Sequence, residues 1–253
     1  MKEEFLFNTV RKKYSHPLEI EFLKKMSETG LEDYEEIIIN KYCKIPASIL
    51  VIGCGAGRES FSLIQKNLNV TGIDIIEELV NICESKARKN IIKANFLVMN
   101  ACNLGFKSES FNYIILLGQL ISLIPLRKNR IELLKECKGV LKKDGILILT
   151  THSRERNLRE KLKWNFINLI RKIIPLWKNF EEGDKWIRAI SGYNLTKEKT
   201  FIHLYTPKEA LEDIAQAGLK LLSCRCATEI VNYREYPEIR EKDKYIIYVT
   251  IKK

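Results

Sequence analysis

The sequence is poor in histidine, with three in 253 residues, and it has no uninterrupted apolar run near the roughly 18 residues that would cross a bilayer. The opening MKEEFLFNTVRKKYSHP has acids where a secretory signal carries basic residues. Both absences lead us to expect a cytoplasmic protein. Seven cysteines, at positions 43, 54, 83, 102, 137, 224 and 226, show no paired metal-ligand spacing, so reduced or buried thiols and no metal are expected. Cys224 and Cys226 alternate with Arg225, as in a strand. Internal repeats and low-complexity linkers are also lacking.

The hydrophobic content is 45%, enough in a chain of this length to bury the core of one α/β domain with a modest addition. Lysine and arginine outnumber aspartate and glutamate 43 to 32, a net charge of +11. Such an excess attracts nucleic acid, anionic lipid or an acidic substrate, or keeps the protein soluble.

From residue 47 onward, short apolar runs alternate with amphipathic stretches, the pattern of a parallel sheet covered by helices on both faces. ASILVIG, LNVTGID, NFLVMN, FNYIILLG and GILILTT read as five strands. RESFSLIQKN, EELVNICESKARKN and RKNRIELLKECKGVLKK carry apolar residues at helical spacing, whereas ACNLGFKSES reads as a loop. In YTPKEALEDIAQAGLKLLSC, Thr206 is the expected N-cap, Pro207 opens the helix, Glu209 closes a capping box and Gly218 ends it. A strand follows, and KYIIYVTIKK is another. No helical pattern lies between these two, so an antiparallel pair is expected. The fold class is therefore α/β, with a seven-stranded, mostly parallel sheet. Residues 1–46 look helical and are expected to pack as an N-terminal lid on a domain spanning 47–253. That domain carries a basic helical insertion at 152–200.

SILVIGCGAGRES, residues 48–60, places Gly53, Gly55 and Gly57 directly after the first strand, where a doubly wound fold binds its ligand. A dinucleotide site wants a third small residue at position 58, where Arg58 stands, and a P-loop wants a Lys-Ser/Thr pair that is missing. The G-x-G-x-G form, with Asp74 ending the second strand in VTGIDIIEE, resembles the class I S-adenosylmethionine-dependent methyltransferases. The motif order holds over about residues 45–151, through VMNACNLGF, FNYIILLGQLISLIP and LKKDGILILTT. The resemblance implies a Rossmann-like sheet of order 3-2-1-4-5-7-6, strand 7 antiparallel, and S-adenosylmethionine as cofactor. It assigns Asp74 to the two ribose hydroxyls, and Asn100 with the Ala101 main chain to the adenine. The implied cofactor-binding set is Gly53, Cys54, Gly55, Gly57, Asp74, Ile75, Asn100, Ala101, Cys102, Leu117, Gly118 and Gln119. Val51 and Asn100 stand where many members carry acids; the asparagine carbonyl can still accept from adenine.

Methyl transfer from a sulfonium needs alignment of an acceptor lone pair and exclusion of water, and an oxygen acceptor benefits from a base. LLGQLIS after strand four lacks the signatures of DNA-adenine and cytosine-C5 methylases. An O or N atom of a small-molecule or lipid-like acceptor is the expected target. An RNA methyltransferase and a catalytically silent protein of the same fold are the alternatives. Residues 154–178 hold eight basic residues and two acids, with Leu158, Leu162, Phe166, Leu169, Ile173 and Trp177 at helical spacing. This stretch is expected to lay its apolar face over the acceptor pocket; a peripheral membrane contact and, less favoured, an RNA contact are the other readings. Acid–base candidates are His203 and Tyr205 in FIHLYT, and His152 after strand five.

Overall fold

A computed structural model of the chain describes residues 2–155, 158–173, 180–191, 194–231 and 245–253. Three helices come first: α1 (Lys2–Tyr14), α2 (Pro17–Met26) and α3 (Asp33–Tyr42). The apolar runs then form strands β1 (Ser48–Ile52), β2 (Asn69–Asp74), β3 (Asn95–Val98), β4 (Phe111–Leu116) and β5 (Leu141–His152). Helix α4 (Arg58–Gln65) connects β1 to β2, α5 (Glu77–Lys89) connects β2 to β3, and α6 (Arg127–Val140) leads into β5. Residues 101–110 between β3 and β4 hold no helix.

Among the described residues, the segment expected to be a helical insertion is helical only in α7 (Leu158–Ile173); β6 (Asp184–Ser191) and β7 (Asn194–His203) pair as an antiparallel hairpin. Their sequences, DKWIRAIS and NLTKEKTFIH, are rich in β-branched and aromatic residues and lack helical spacing. Helix α8 (Pro207–Gln216), strand β8 (Lys220–Cys226), the single turn α9 (Ala227–Ile230) and strand β9 (Tyr245–Ile251) complete the chain.

The main sheet has the order β3-β2-β1-β4-β5-β9-β8. Strands β1 to β5 run parallel and β9 runs antiparallel to both neighbours. Setting the hairpin aside, this is the expected 3-2-1-4-5-7-6. Alternation divides the core: Ile49, Val51, Tyr113 and Ile115 pack on one face with α3, α4 and α5, while Leu50, Ile52, Ile114 and Leu116 pack on the other with α6 and α8. Burial on both faces explains why the central strands are continuous apolar runs. Among the described residues, no helix is long and apolar enough to cross a membrane.

Candidate cofactor and acceptor site

Because β3, β2, β1 and β4 are parallel neighbours, their carboxyl ends line one edge of the sheet. That edge brings together Gly53 to Gly57, Asp74 with Ile75, Asn100 to Cys102, and Leu117 to Gln119. The three glycines of the turn do different things. A Cβ on Gly53 would sit 2.1 Å from Leu120 Cδ1, and one on Gly57 would sit 2.5 Å from the Phe61 ring and 3.1 Å from Cys83 Sγ. Both positions are closed by packing. A Cβ on Gly55 would meet nothing within 4 Å, and the same holds for Gly118 across the edge. Gly55 also adopts φ +52°, a left-handed conformation that disfavours other residues. Gly55 and Gly118 therefore face open space, where a ligand can approach the main chain.

Asp74 ties this edge together. Its Oδ2 accepts the Gly55 N–H at 2.9 Å, and its Oδ1 accepts the Ile76 N–H at 2.9 Å, at the start of α5. Burial raises its pKa, against the opposing pull of those N–H donors. A carboxylate has about four acceptor positions, and two of Asp74's are filled by these bonds.

Beyond β3, Asn100 is exposed and its Oδ1 accepts the Cys102 N–H at 3.0 Å, which fixes the side chain; Ala101 and Cys102 are half-buried beside it. Beyond β4, the Gln119 N–H donates to Thr150 Oγ1 at 3.0 Å. Leu117 and Gln119 are buried. Ile75 packs against the cluster of Ala56, Ile76 and Leu79, as do Tyr14 and Leu23 of the N-terminal helices. Cys54 and Cys83 are buried behind the turn, and all seven cysteines are free thiols.

Arg58, the residue that disfavours a dinucleotide, has a structural task. Its guanidinium donates to both Glu35 carboxylate oxygens, at 2.6 and 2.8 Å, and to the Gly30 carbonyl at 3.1 Å. The fork joins α3 and the loop before it to the helix that follows the glycine turn. Helix α1 packs against the hairpin, with Phe5 edge-on to Trp186 at 6.1 Å and the Asn129 amide donating to Glu3.

The three acid–base candidates are not brought together in the open edge. His203 is fully buried, with Asp184 Oδ1 2.8 Å from Nδ1 and Glu209 Oε1 2.8 Å from Nε2, so neither ring nitrogen is presented to an acceptor. Tyr205 is buried too, its ring edge-on to His203 at 4.7 Å and under the Arg130 guanidinium at 5.3 Å; burial raises its phenol well above the usual range. His152 alone of the three is half-buried, at the carboxyl end of β5, with its ring 5.3 Å from that of Tyr245.

His203 belongs to a buried ionic cluster that the sequence reading missed. The fully buried Arg130 of α6 donates to Glu181 Oε2 at 2.8 Å and to the Ile124 carbonyl at 3.3 Å, and lies 3.3 Å from His203 Nε2. Arg154 donates to Glu209 Oε2 at 3.0 Å and to the Glu182 and Leu204 carbonyls at 2.8 Å each. Glu181, Asp184 and His203 could offer metal-ligand atoms within 4.8 Å of one another, but the Arg130 guanidinium already supplies a cation there. No spacing rule marks these residues, since they come from α6, the hairpin and α8.

The apolar stripe of α7 does not lie over a pocket as expected. Leu158, Leu162, Phe166, Leu169 and Ile173 are exposed, and the helix packs through Trp164 and Asn168 instead. Trp177 lies outside the described residues.

A doubly wound sheet with a reversed strand beside its edge defines a Rossmann-like fold, and the glycine turn and the half-buried carboxylate ending β2 lie at the carboxyl edge where such folds bind ligands. Residues 50–149 match the methyltransferase-domain family model, which supports the resemblance to the class I S-adenosylmethionine-dependent methyltransferases. A SAM-dependent methyltransferase from Methanosarcina mazei has the same fold at 27% identity and a TM-score of 0.66, over 88% of this chain and 98% of that one. An uncharacterized protein of Methanocaldococcus jannaschii is 28% identical over 213 residues, 83% of this chain and 76% of its own length. A ubiquinone biosynthesis O-methyltransferase of Haemophilus ducreyi is 29% identical over 115 residues, 42% of this chain and 45% of its own length. The chain thus matches some of its curated relatives over only about half of their length.

Proposed function

We propose that this protein transfers a methyl group from S-adenosylmethionine to an O or N atom of a small-molecule or lipid-like acceptor. The observation that carries the reading is the open space over Gly55 and Gly118 beside the Asp74 carboxylate, which main-chain N–H groups hold at the end of β2. Asp74 takes the ribose hydroxyls there, Asn100 and the Ala101 main chain take the adenine, and the Gly55 main chain lies against the methionine portion. When bound, the cofactor supplies an electrophilic methyl on a positively charged sulfur. The chain's own task is to hold an acceptor lone pair in line and keep water away. Gln119 and His152, at the ends of β4 and β5, stand on the edge where an acceptor enters, and His152 is the residue we assign to proton removal. The ubiquinone-pathway name of one relative fits an acceptor of lipid-like character. A reducing, cytoplasmic setting is in keeping with seven free thiols.

Calorimetry with S-adenosylmethionine and S-adenosylhomocysteine tests the cofactor assignment. Asp74→Ala is expected to weaken binding on the order of a hundredfold, the loss of two charge-assisted hydrogen bonds; equal affinity in the variant rejects the ribose contact. Labelled cofactor incubated with a lysate then separates the acceptors. Label in the small-molecule or lipid fraction is expected. Label in RNA makes the protein an RNA methyltransferase, and cofactor binding without any transfer makes it a silent member of the fold.

A further inference from the structure

Helix α7 leaves the carboxyl edge of the sheet just after β5 and carries an apolar face that no described residue covers. Leu158, Leu162, Phe166, Leu169 and Ile173 are each between 57% and 72% exposed. At about 100° per residue, these five side chains fall within an arc of about 80°. The opposite side holds the helix to the protein: Trp164 is buried, and the Arg171 guanidinium lies over the Trp164 and Phe180 rings and donates to the Asp184 carbonyl at 2.6 Å. The stripe is therefore fixed outward by packing on its back. An exposed apolar row of this length on a folded protein marks a contact surface.

The charges beside it identify the partner. Arg159 and Lys163 flank the stripe on one side and Lys161 on the other, all exposed. The ion pairs Lys161–Glu155, at 3.9 Å, and Lys163–Glu160, at 3.6 Å, are long and solvent-facing, so they compete weakly with other anions. A second copy of the chain docked stripe to stripe would bring these basic flanks face to face. An anionic bilayer neutralises them with lipid phosphates while its acyl boundary takes the apolar row.

We propose that α7 is an in-plane membrane anchor, with Leu158, Leu162, Phe166, Leu169 and Ile173 entering an anionic lipid surface and Arg159, Lys161 and Lys163 meeting its phosphates. The anchor stands whichever acceptor the enzyme uses.

Co-sedimentation of the full chain with vesicles of equal parts phosphatidylglycerol and phosphatidylcholine tests it, with pure phosphatidylcholine vesicles as the reference. The protein is expected to bind the anionic vesicles, and less tightly as salt rises. F166Q/L169Q is expected to lose on the order of a hundredfold in vesicle affinity with an unchanged thermal melt, since both side chains face solvent. K161E/K163E is expected to lose roughly tenfold or more and to flatten the salt dependence. Absence of binding by the wild type, or full binding by F166Q/L169Q, overturns the proposal. Sedimentation equilibrium showing a dimer that F166Q/L169Q dissolves also overturns it, by assigning the stripe to a second copy.

Discussion

Two polar assemblies stand along the same edge of the sheet and are built on opposite plans. Around Asp74 the partners are main-chain N–H groups, from Gly55 and from Ile76, 19 and 2 residues away in sequence. Around His203 the partners are side chains: Asp184, Glu209 and Arg130, the last 73 residues distant. The first assembly engages Asp74 through main-chain donors alone and lies beside the open space over Gly55 and Gly118. In the second, each ring nitrogen of the histidine faces a carboxylate, and the cluster pins the hairpin to α6 and α8. Charge alone does not mark a functional site; what matters is whether the charged group has been fully spent on its neighbours.

The sharpest way to break this comparison is to remove the cation of the second assembly. Arg130→Met leaves Glu181 without its buried partner and takes one cation from beside Glu209, and is expected to cost about 3–5 kcal/mol by chemical or thermal unfolding. Affinity for S-adenosylmethionine should stay close to that of the wild type. A variant that keeps its stability but loses the cofactor would show that the cluster takes part in binding.

The glycine turn can be dissected by two substitutions only two residues apart. Gly57→Ala drives a methyl group into the Phe61 ring at a backbone φ of +96°, and is expected to cost about 2–4 kcal/mol through overpacking and left-handed strain. Gly55→Ala meets no atom of the protein, so its strain is about 1 kcal/mol. Its methyl nevertheless enters the cradle, and cofactor affinity is expected to fall further than in Gly57→Ala. Calorimetry beside a melting curve separates the two outcomes, and equal effects on both readouts would refute the division of labour.

The legibility of the two regions follows from the same difference. The parallel sheet could be read because strands buried on both faces are continuous apolar runs, and its order followed from the family resemblance that the glycine turn and Asp74 carry. Arg58 was legible only as an exclusion; its fork onto Glu35 depends on where α3 lands. The hairpin was taken as helical because apolar residues at helical spacing in α7 dominated the stretch around it. The stripe of α7 was correctly seen as amphipathic, yet periodicity gives the existence of an apolar face and not which side of the helix meets the protein. Trp164 and Asn168 decided that. His203 and Tyr205 looked catalytic by their place before α8, but burial among Arg130, Asp184 and Glu209 is a property of the assembled fold.

A smaller effect, spread over pH, comes from Glu209. Burial pushes its carboxyl up, but the hydrogen bond to His203 and the charges of His203, Arg154 and Arg130 more than offset this and hold it below the usual glutamate range. A carboxyl lowered in the folded state contributes stability that is complete above the unfolded value, about 4.3, and is lost as pH falls through the lower folded value. Urea midpoints measured across that acid range should therefore decline with falling pH. Glu209→Gln is expected to flatten this decline and to lower stability at neutral pH.

The start of α8 makes the finest test, because there the two plans meet in one residue. The sequence predicts a reciprocal capping box between Thr206 and Glu209. Thr206 Oγ1 does accept the Glu209 N–H at 3.1 Å, but the Glu209 carboxylate is drawn away to His203 and Arg154. Half of the box is thus made locally and the other half is given up to the buried cluster. Thr206→Ala removes only the local half and is expected to cost about 1 kcal/mol. Glu209→Ala should cost severalfold more, since it uncovers His203 and Arg154 as well as emptying the third helical position. If the two variants melted together, the carboxylate would be acting as an ordinary cap, and the tie between α8 and the hairpin would carry no weight in the fold.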